Sequence, residues 1–229
     1  MSRRAVLLDL DGTLVDTAPD LCAVLNILLA RRERPPLPYA VARNEVSNGA
    51  LGLLRAAFDG EDAPADLEIL RLEFLEIYIN AVCIKSRIFN GLCNILDTLD
   101  EQRRPWGIVT NKPGALTEPL LETLGLSQRV RCVISGDRLP ERKPHPAPLA
   151  LAARELGVDP HRCVYVGDAP RDIDAGRAAG MATIAAAYGY IRPHDDPHRW
   201  GADAVIRRPS DLLRACERLE QQAPDVRRA

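Results

Sequence analysis

The stretch that most constrains the fold is the apolar run that begins at Ala5, because two acidic residues and a glycine-threonine turn follow it directly. Asp9 and Asp11 are two positions apart, and side chains at that spacing on a strand point to the same side. Two carboxylates at the end of a buried strand repel each other by about 4 kcal/mol at roughly 4 Å and an effective dielectric of about 20. We therefore expect a bound cation at this end of the first strand.

The same residues allow a second interpretation, a β-hairpin, because Asp11-Gly12 is a favourable hairpin turn. The residues that follow, Leu14-Val15, are too few for a returning strand. A hairpin also leaves the acid at position 9 inside an apolar run without an explanation. The sequence therefore favours the cation site.

Composition is that of a globular protein and argues against two classes of partner. The chain has 229 residues, of which 46% are hydrophobic and 27% charged, enough for one large domain or one domain with a smaller insert. A net charge of -2 gives no basic surface for nucleic acid, and no apolar run approaches the ~20 residues of a membrane span. Six scattered cysteines without a Cys-x-x-Cys pair predict reduced core thiols in a cytoplasmic protein.

The chain divides into two parts by its hydrophobic pattern. Residues 19–87 have no strand signals, and their apolar residues recur at helical spacing. Thr17, followed three residues later by Asp20, predicts a capped helix start. From Gly91 onward, short apolar strands alternate with helices, which is typical of a parallel sheet covered by helices on both faces. The sequence predicts an α/β core, residues 1–18 and 88–229, with a helical insert after the first strand.

Several predicted strands of this core end in polar residues. Ligands of open parallel sheets bind at the carboxyl ends of the strands. The strand-end residues are Asp9 and Asp11, Thr110-Asn111, Ser135 with Asp137, and Gly167-Asp168, and Lys143 follows in a proline-rich loop. Carboxylates suit Mg²⁺, and a hydroxyl, an amide and an ammonium suit the oxygens of a phosphoryl group in transfer.

Over nearly the whole chain, these residues resemble the four ordered motifs of the haloacid dehalogenase-like hydrolases. The motifs are Asp9-x-Asp11-Gly12-Thr13, Thr110-Asn111, Lys143-Pro144, and Gly167-Asp168 with Asp172. The resemblance implies a Rossmann-like core and identifies the helical insert as a mobile cap over the active site. It also implies a magnesium-dependent phosphomonoesterase that works through an aspartyl-phosphate.

The resemblance implies a role for each motif residue. Asp9 would be the nucleophile, and Asp11 would protonate the leaving oxygen and then activate water. Thr110 would bind a phosphoryl oxygen with help from Asn111, and Lys143 would neutralise both Asp9 and the phosphate. An acid at position 11 favours phosphate chemistry over carbon–halogen cleavage.

The metal site departs from the family pattern in one residue. Mg²⁺ would be held by Asp9, Asp168 and the backbone carbonyl of Asp11, with Asp172 supporting it directly behind these ligands or through a water. Many relatives carry a second acid after the residue equivalent to Asp168, where this chain has Ala169. Alternatively, Asp172 is only an acid that favours the N-terminus of its helix.

Residues outside the motifs have less specific signals. Arg43, Asn48 and Gly49, together with Ser47, are predicted to contact substrate from the cap, although Asn48-Gly49 is equally explained as a turn between two helices. Lys112 lies close enough in sequence to the second motif to reach substrate. We interpret Asp137 as a turn residue, and the four histidines, which lack ligand spacing, as surface residues.

The substrate prediction rests on likeness to two branches of the family. The layout resembles phosphoglycolate phosphatases, whereas four stretches resemble the N-acetylmuramic acid 6-phosphate phosphatases of peptidoglycan recycling: 72–78, 106–113, 188–191 with Pro193, and 200–203. We predict N-acetylmuramic acid 6-phosphate as substrate and 2-phosphoglycolate as the alternative. A sugar phosphomutase and a non-enzymatic sensor of a phosphorylated metabolite are further hypotheses. The protein is expected to be a monomer or a small homo-oligomer.

Overall fold

The computed structural model describes residues 5–58 and 67–222, and its centre is a six-stranded parallel sheet. The strands in chain order are β1 Ala5–Leu8, β2 Val15–Asp16, β3 Arg87–Ile88, β4 Trp106–Val109, β5 Val133–Ile134, β6 Cys163–Gly167, β7 Ala182–Ala186 and β8 Ala204–Ile206. The main sheet has the order β5-β4-β1-β6-β7-β8, and all its neighbours are parallel. The predicted α/β sheet is confirmed, with β1 at its centre.

The helices follow the predicted alternation. They are α1 Ala18–Ala30, α2 Tyr39–Arg43, α3 Gly49–Ala57, α4 Leu67–Ile79, α5 Leu92–Glu101, α6 Gly114–Thr123, α7 Ala147–Glu155, α8 Pro170–Ala178 and α9 Leu212–Gln222. The predicted loop at 59–64, the first two residues of the predicted helix 65–80 and the tail from 223 lie outside the described residues. The second predicted helix, 39–46, is shorter than expected because a 3-10 turn, Val46–Asn48, follows Arg43 after a short break.

Strand β1 is buried on both faces, as its continuous apolar sequence predicts. Val6 and Leu8 belong to an apolar cluster that includes side chains of α5, α6 and α9. Ala5 and Leu7 point to the other face, where they pack with side chains of α7 and α8. Burial from both sides fixes the end of β1, and hence the position of Asp9.

Helices α1 to α4 lie between β2 and β3 and have an apolar cluster of their own. Leu25, Leu28 and Phe74 are among its fully buried members. Two buried side chains from the rest of the chain, Leu116 and Tyr190, belong to this cluster, and the partly buried Phe89 packs against it. We retain residues 19–87 as the proposed cap and 1–18 with 88–229 as the proposed core.

The chain passes between these two parts twice, and a second, two-stranded sheet joins the two connecting segments. Val15 pairs with Ile88 and Asp16 with Arg87 in antiparallel register. Neither strand was predicted, and the prediction that Arg87 belongs to an all-helical segment is wrong, because two-residue strands have no measurable periodicity. Strand β2 pairs with β3 and does not return along β1, so the hairpin alternative is wrong.

The predicted cap of α1 by Thr17 and Asp20 is also wrong, because both side chains are used elsewhere. The Thr17 hydroxyl donates to Asp11 Oδ1 at 2.6 Å. The buried Asp20 carboxylate accepts from the backbone N–H groups of Lys85 and Ser86 and from the Ser86 hydroxyl. Asp20 therefore holds the segment that leads into β3.

The start of α1 is capped instead by a tyrosine from far along the chain. The Tyr190 hydroxyl accepts from the backbone N–H groups of Thr17 and Ala18, at 2.7 and 2.9 Å, and donates to Asp16 Oδ1 at 2.7 Å. One side chain thus fixes both β2 and the first turn of α1.

The burial of the cysteines and histidines agrees with the sequence predictions at all positions but one. All six cysteines are free thiols, and five are buried as predicted. The prediction of a core thiol is wrong for Cys93, which lies on an exposed position of α5. The four histidines are exposed, as predicted. Among the described residues, no helix combines the length and the apolar character that a membrane crossing needs.

Candidate active site

The end of β1 places Asp9 in a buried position with a cationic partner. Its side chain accepts from the backbone N–H of Leu10 at 2.7 Å, and Oδ1 lies 2.9 Å from Lys143 Nζ. Burial raises the pKa of Asp9 from 3.8 to about 7; Lys143 opposes this rise, and the nearby Asp172 and Asp168 add to it. Asp9 is therefore a carboxylate whose charge needs further compensation.

Lys143 is the buried cation of the site. It lies in the loop between β5 and α7, and 3% of the residue is exposed. Besides Asp9, its ammonium contacts Asp172 Oδ1 at 2.8 Å, the Val109 carbonyl at 3.0 Å and the Tyr165 hydroxyl at 2.7 Å. One positive charge thus faces two buried carboxylates.

A third carboxylate completes the acidic cluster. Carboxylate oxygens of Asp9, Asp168 and Asp172 lie within 4.8 Å of one another. Burial, and then Asp172, raise the pKa of Asp168 from 3.8 to about 6, against hydrogen bonds that lower it. Asp172 also accepts from the backbone N–H of Ala169 at 3.0 Å at the start of α8, which agrees with its interpretation as an acid at the helix N-terminus. Its role at a metal ion stays a prediction.

Asp168 is enclosed by both parts of the chain. Its Oδ2 accepts from the backbone N–H of Tyr190 at 2.8 Å and from the Ser47 hydroxyl at 2.7 Å, and Thr13 donates to Oδ1 at 3.4 Å. Gly12 has φ +83°, and a Cβ there would lie 2.1 Å from Asp168 Oδ2. Only glycine allows the first-motif turn to approach Asp168 this closely.

Asn111 of the second motif contacts Lys143 of the third motif. Asn111 uses both ends of its amide on Lys143: Nδ2 donates to the carbonyl and Oδ1 accepts from the backbone N–H, each at 3.0 Å. Thr110 Oγ1 accepts from the backbone N–H of Lys112 at 3.1 Å. Asn111 thus holds the Lys143 loop in place. Asp137 accepts from the Gly114 N–H and the Ser135 hydroxyl, in agreement with its interpretation as a turn residue.

A pocket of about 360 Å³ opens above these residues, between α1–α4 and the carboxyl edge of the sheet. Its lining includes Asp9, Asp11, Thr110, Asn111 and Lys112 from the sheet side. The opposite side is largely apolar. The polar side chains of the lining beyond these five residues are Ser47, Asn48, Arg71, Tyr78, Arg142 and Arg171.

Only some of the residues that were predicted to contact substrate from the cap line this pocket. Asn48 and Gly49 line it, whereas Arg43 does not. The Arg43 guanidinium lies 4.8 Å from the centre of the Tyr190 ring and donates to the Gly189 carbonyl at 3.1 Å, so it joins α2 to the core. Arg171 was not predicted as a site residue, but it lines the pocket and donates to the Ser47 carbonyl at 2.5 Å. Its position three residues after Asp168 was the available signal.

The model of the haloacid dehalogenase-like hydrolase family matches residues 3–180. The chain belongs to this family. An N-acetylmuramic acid 6-phosphate phosphatase of Pseudomonas putida is 42% identical over 217 residues, 95% of this chain and 97% of that protein. A phosphoglycolate phosphatase of Xanthomonas campestris is 46% identical over 209 residues, 91% of this chain and 94% of that protein.

Solved structures agree with the fold of this haloacid dehalogenase-like hydrolase. A protein of Haemophilus somnus, described as a predicted phosphoglycolate phosphatase, superposes with a TM-score of 0.82 at 29% identity, and the match covers 93% of this chain and 97% of that one. The phosphatase class predicted from the sequence is confirmed by the family and its relatives. These relatives are named for two different substrates, so they do not decide between the two.

Proposed function

We propose that this hydrolase cleaves phosphate monoesters through an aspartyl-phosphate formed on Asp9. The observation that carries the proposal is the buried contact of Asp9 with Lys143 beside two further carboxylates. A carboxylate oxygen of Asp9 attacks phosphorus, and the leaving oxygen takes a proton from Asp11. Asp11 then removes a proton from water as the water attacks the phosphorus, which releases inorganic phosphate and restores Asp9. Thr110 and Lys143 bind the phosphoryl oxygens.

The acidic cluster fits a magnesium ion. Three buried carboxylates lie close together, and among them the Lys143 ammonium contacts only Asp9 and Asp172. Burial and the neighbouring carboxylates raise the pKa of Asp9 and the pKa of Asp168. Hard oxygen donors of this kind are the ligands that Mg²⁺ prefers. Asp9, Asp168 and the backbone carbonyl of Asp11 would hold it, with Asp172 behind them. Bound Mg²⁺ supplies positive charge that stabilises the phosphoryl group in transfer.

Mg²⁺ is expected to stabilise the protein more at pH 8 than at pH 5. The native pKa values of Asp9 and Asp168, about 7 and 6, lie above their ordinary value of 3.8. The metal-free native state therefore keeps protons that the unfolded chain releases, and its free energy of unfolding falls as pH rises from about 4 to about 7. Mg²⁺ binds the deprotonated carboxylates and offsets this loss.

Thermal unfolding with and without Mg²⁺ measures the effect. At about 100 times its Kd, Mg²⁺ adds about 2.7 kcal/mol, or roughly 5–10 °C for a chain of this length. Asp168→Asn should lose most of the gain, whereas Asp174→Asn, at an exposed position of α8, should keep it. An equal gain at both pH values would contradict the assignment of the cation to this cluster.

For the substrate, we propose N-acetylmuramic acid 6-phosphate. Pockets of about 300–1,000 Å³ hold ligands of drug size, and this one measures about 360 Å³. 2-Phosphoglycolate is far smaller. Asn48 and Arg71 line the pocket beyond the motif residues and suit the acetamide and carboxylate groups of an amino sugar acid. Arg71 would exchange its pairing with the exposed Glu68 for the substrate carboxylate. The 46% identical phosphoglycolate phosphatase supports 2-phosphoglycolate as the second candidate.

The ratio of kcat/KM for the two substrates tests this proposal. We expect a preference of at least about 100-fold for N-acetylmuramic acid 6-phosphate, which corresponds to about 2.7 kcal/mol. N-acetylglucosamine 6-phosphate is the matched control, because it lacks only the lactyl ether with its carboxylate, and it should fall between the two. A preference for 2-phosphoglycolate would overturn the substrate but not the chemistry. Release of an isomeric sugar phosphate without inorganic phosphate would indicate a mutase.

The cytoplasmic location and the oligomeric state stay predictions.

A further inference from the structure

Lys112 is a buried lysine that the proposed mechanism does not use. Only three of the 30 basic residues are lysines. Lys85 is exposed, whereas Lys112 and Lys143 are both buried at the active site, with 9% and 3% of each residue exposed. A buried ammonium is costly unless it is paired, so the partners of Lys112 indicate what it does.

One partner is the proposed acid. Lys112 Nζ lies 3.1 Å from Asp11 Oδ1, the oxygen that also accepts from the Thr17 hydroxyl at 2.6 Å. Two donors thus fix one oxygen of this carboxylate. Within the described residues no hydrogen bond is made to Asp11 Oδ2, and Asp11 lines the pocket. Oδ2 is therefore the oxygen left for proton exchange with substrate and water.

The other partner comes from the proposed cap. Tyr78, on α4, is 1% exposed, and its hydroxyl accepts from Lys112 Nζ at 3.0 Å. The same ammonium lies 4.6 Å from the centre of the Tyr78 ring, within range of a cation–π interaction. A displacement of α4 from the sheet would remove both contacts from Lys112.

We propose that Lys112 is a positioning residue for Asp11, and that Tyr78 makes this positioning depend on the cap. The inference rests on the proposed role of Asp11 in phosphate ester cleavage. Lys112 holds the carboxylate in the orientation that serves the leaving oxygen. Tyr78 holds Lys112 only while α4 lies over the pocket, so that the acid is aligned when the site is covered.

Two kinds of leaving group test the role of Lys112. An alkyl leaving oxygen needs a proton from Asp11, whereas p-nitrophenolate leaves without one. Since a positioned acid contributes about 10²–10⁴-fold, Lys112→Met should lower kcat/KM about 30-fold for N-acetylmuramic acid 6-phosphate or 2-phosphoglycolate, whichever the wild type hydrolyses faster. The loss for p-nitrophenyl phosphate should stay below about threefold. Lys85→Met, which removes the exposed lysine, should change neither value.

A double-mutant cycle tests the role of Tyr78. Tyr78→Phe keeps the ring and removes the hydroxyl, and it should lower kcat/KM for the alkyl ester about fivefold in the wild type but not in Lys112→Met. Equal losses on both classes of ester would overturn the inference and make Lys112 a phosphate-binding residue. Additive losses would overturn the link through Tyr78. Failure of the proposed function itself is distinguishable, because the wild type would then release no phosphate.

Discussion

Asp9→Asn is expected to lower kcat by at least about 10⁴-fold, the scale on which removal of a catalytic nucleophile acts, and to leave the fold intact. The amide has the shape of the carboxylate but cannot form the acyl phosphate. Its oxygen can still accept from the backbone N–H of Leu10. Burial, with smaller contributions from Asp172 and Asp168, raises the pKa of Asp9 to about 7, so the native state disfavours the charged carboxylate. Lys143 also keeps Asp172 as a partner, so the free energy of unfolding should not fall.

Steady-state kinetics and urea unfolding of the same preparation measure both parts of this result. Asp174→Asn makes the same chemical change at an exposed position of α8 and should keep wild-type kcat. In the wild type, borohydride reduction after rapid quenching should convert the phosphorylated residue 9 to homoserine, which mass spectrometry detects. An Asp9→Asn variant within about tenfold of wild-type kcat would exclude the covalent route, because such a small loss is far below that of a lost nucleophile.

Lys143→Met is expected to lower both activity and stability. Methionine keeps the length of the side chain but leaves Asp9 and Asp172 without their shared cation. Removing one partner of a buried ion pair typically costs about 3–5 kcal/mol of stability. Losing a charge aimed at the transferring group lowers kcat by about 10²–10³-fold. The Tyr165 hydroxyl and the Val109 carbonyl also lose the hydrogen bond from Lys143, although Val109 still accepts from the Tyr165 hydroxyl at 2.8 Å.

The pH dependence of the lost stability shows whether Lys143 acts through its charge or through packing. Without Lys143 the native pKa of Asp9 rises above about 7, because Lys143 is the interaction that lowers it most. At low pH Asp9 is protonated in the native state of both the wild type and Lys143→Met. The difference in unfolding free energy between these two proteins should therefore be smaller at pH 5 than at pH 8. Urea unfolding at the two pH values measures it, with Lys85→Met as the control. The same loss at both values would mean that Lys143 contributes packing alone.

The elements that carry the chemistry could be predicted because each is a local pattern. Strand β4 coincides with the predicted run from Trp106 to Val109, and Thr110 follows where the apolar run stops. Lys143 was different: nothing in its surroundings distinguishes it from other loop cations, and only the order of the four motifs identified it. Its contacts with Asp9 and Asp172 were therefore implied by resemblance, and the structure supplies their distances.

What the sequence could not predict are pairings between distant segments. Thr17 and Asp20 have the spacing of a capping box, but Asp11 and Ser86 compete for their side chains and are the better partners in the folded protein. The Tyr190 hydroxyl takes the place of the cap across 173 residues. Arg43 and Ser47 lie four residues apart, but α2 ends at Arg43 and Ser47 belongs to the 3-10 turn that follows, and only Ser47 lines the pocket.

The hydroxyl of Ser47 limits how this enzyme can be adapted to new substrates. The Ser47 hydroxyl donates to Asp168 Oδ2, and the Ser47 carbonyl accepts from the Arg171 guanidinium. A loop transplanted from a relative would therefore replace part of the support of an acidic residue along with the specificity surface. Redesign of the pocket is better confined to Asn48 and the residues after it, with Ser47 kept as a fixed anchor.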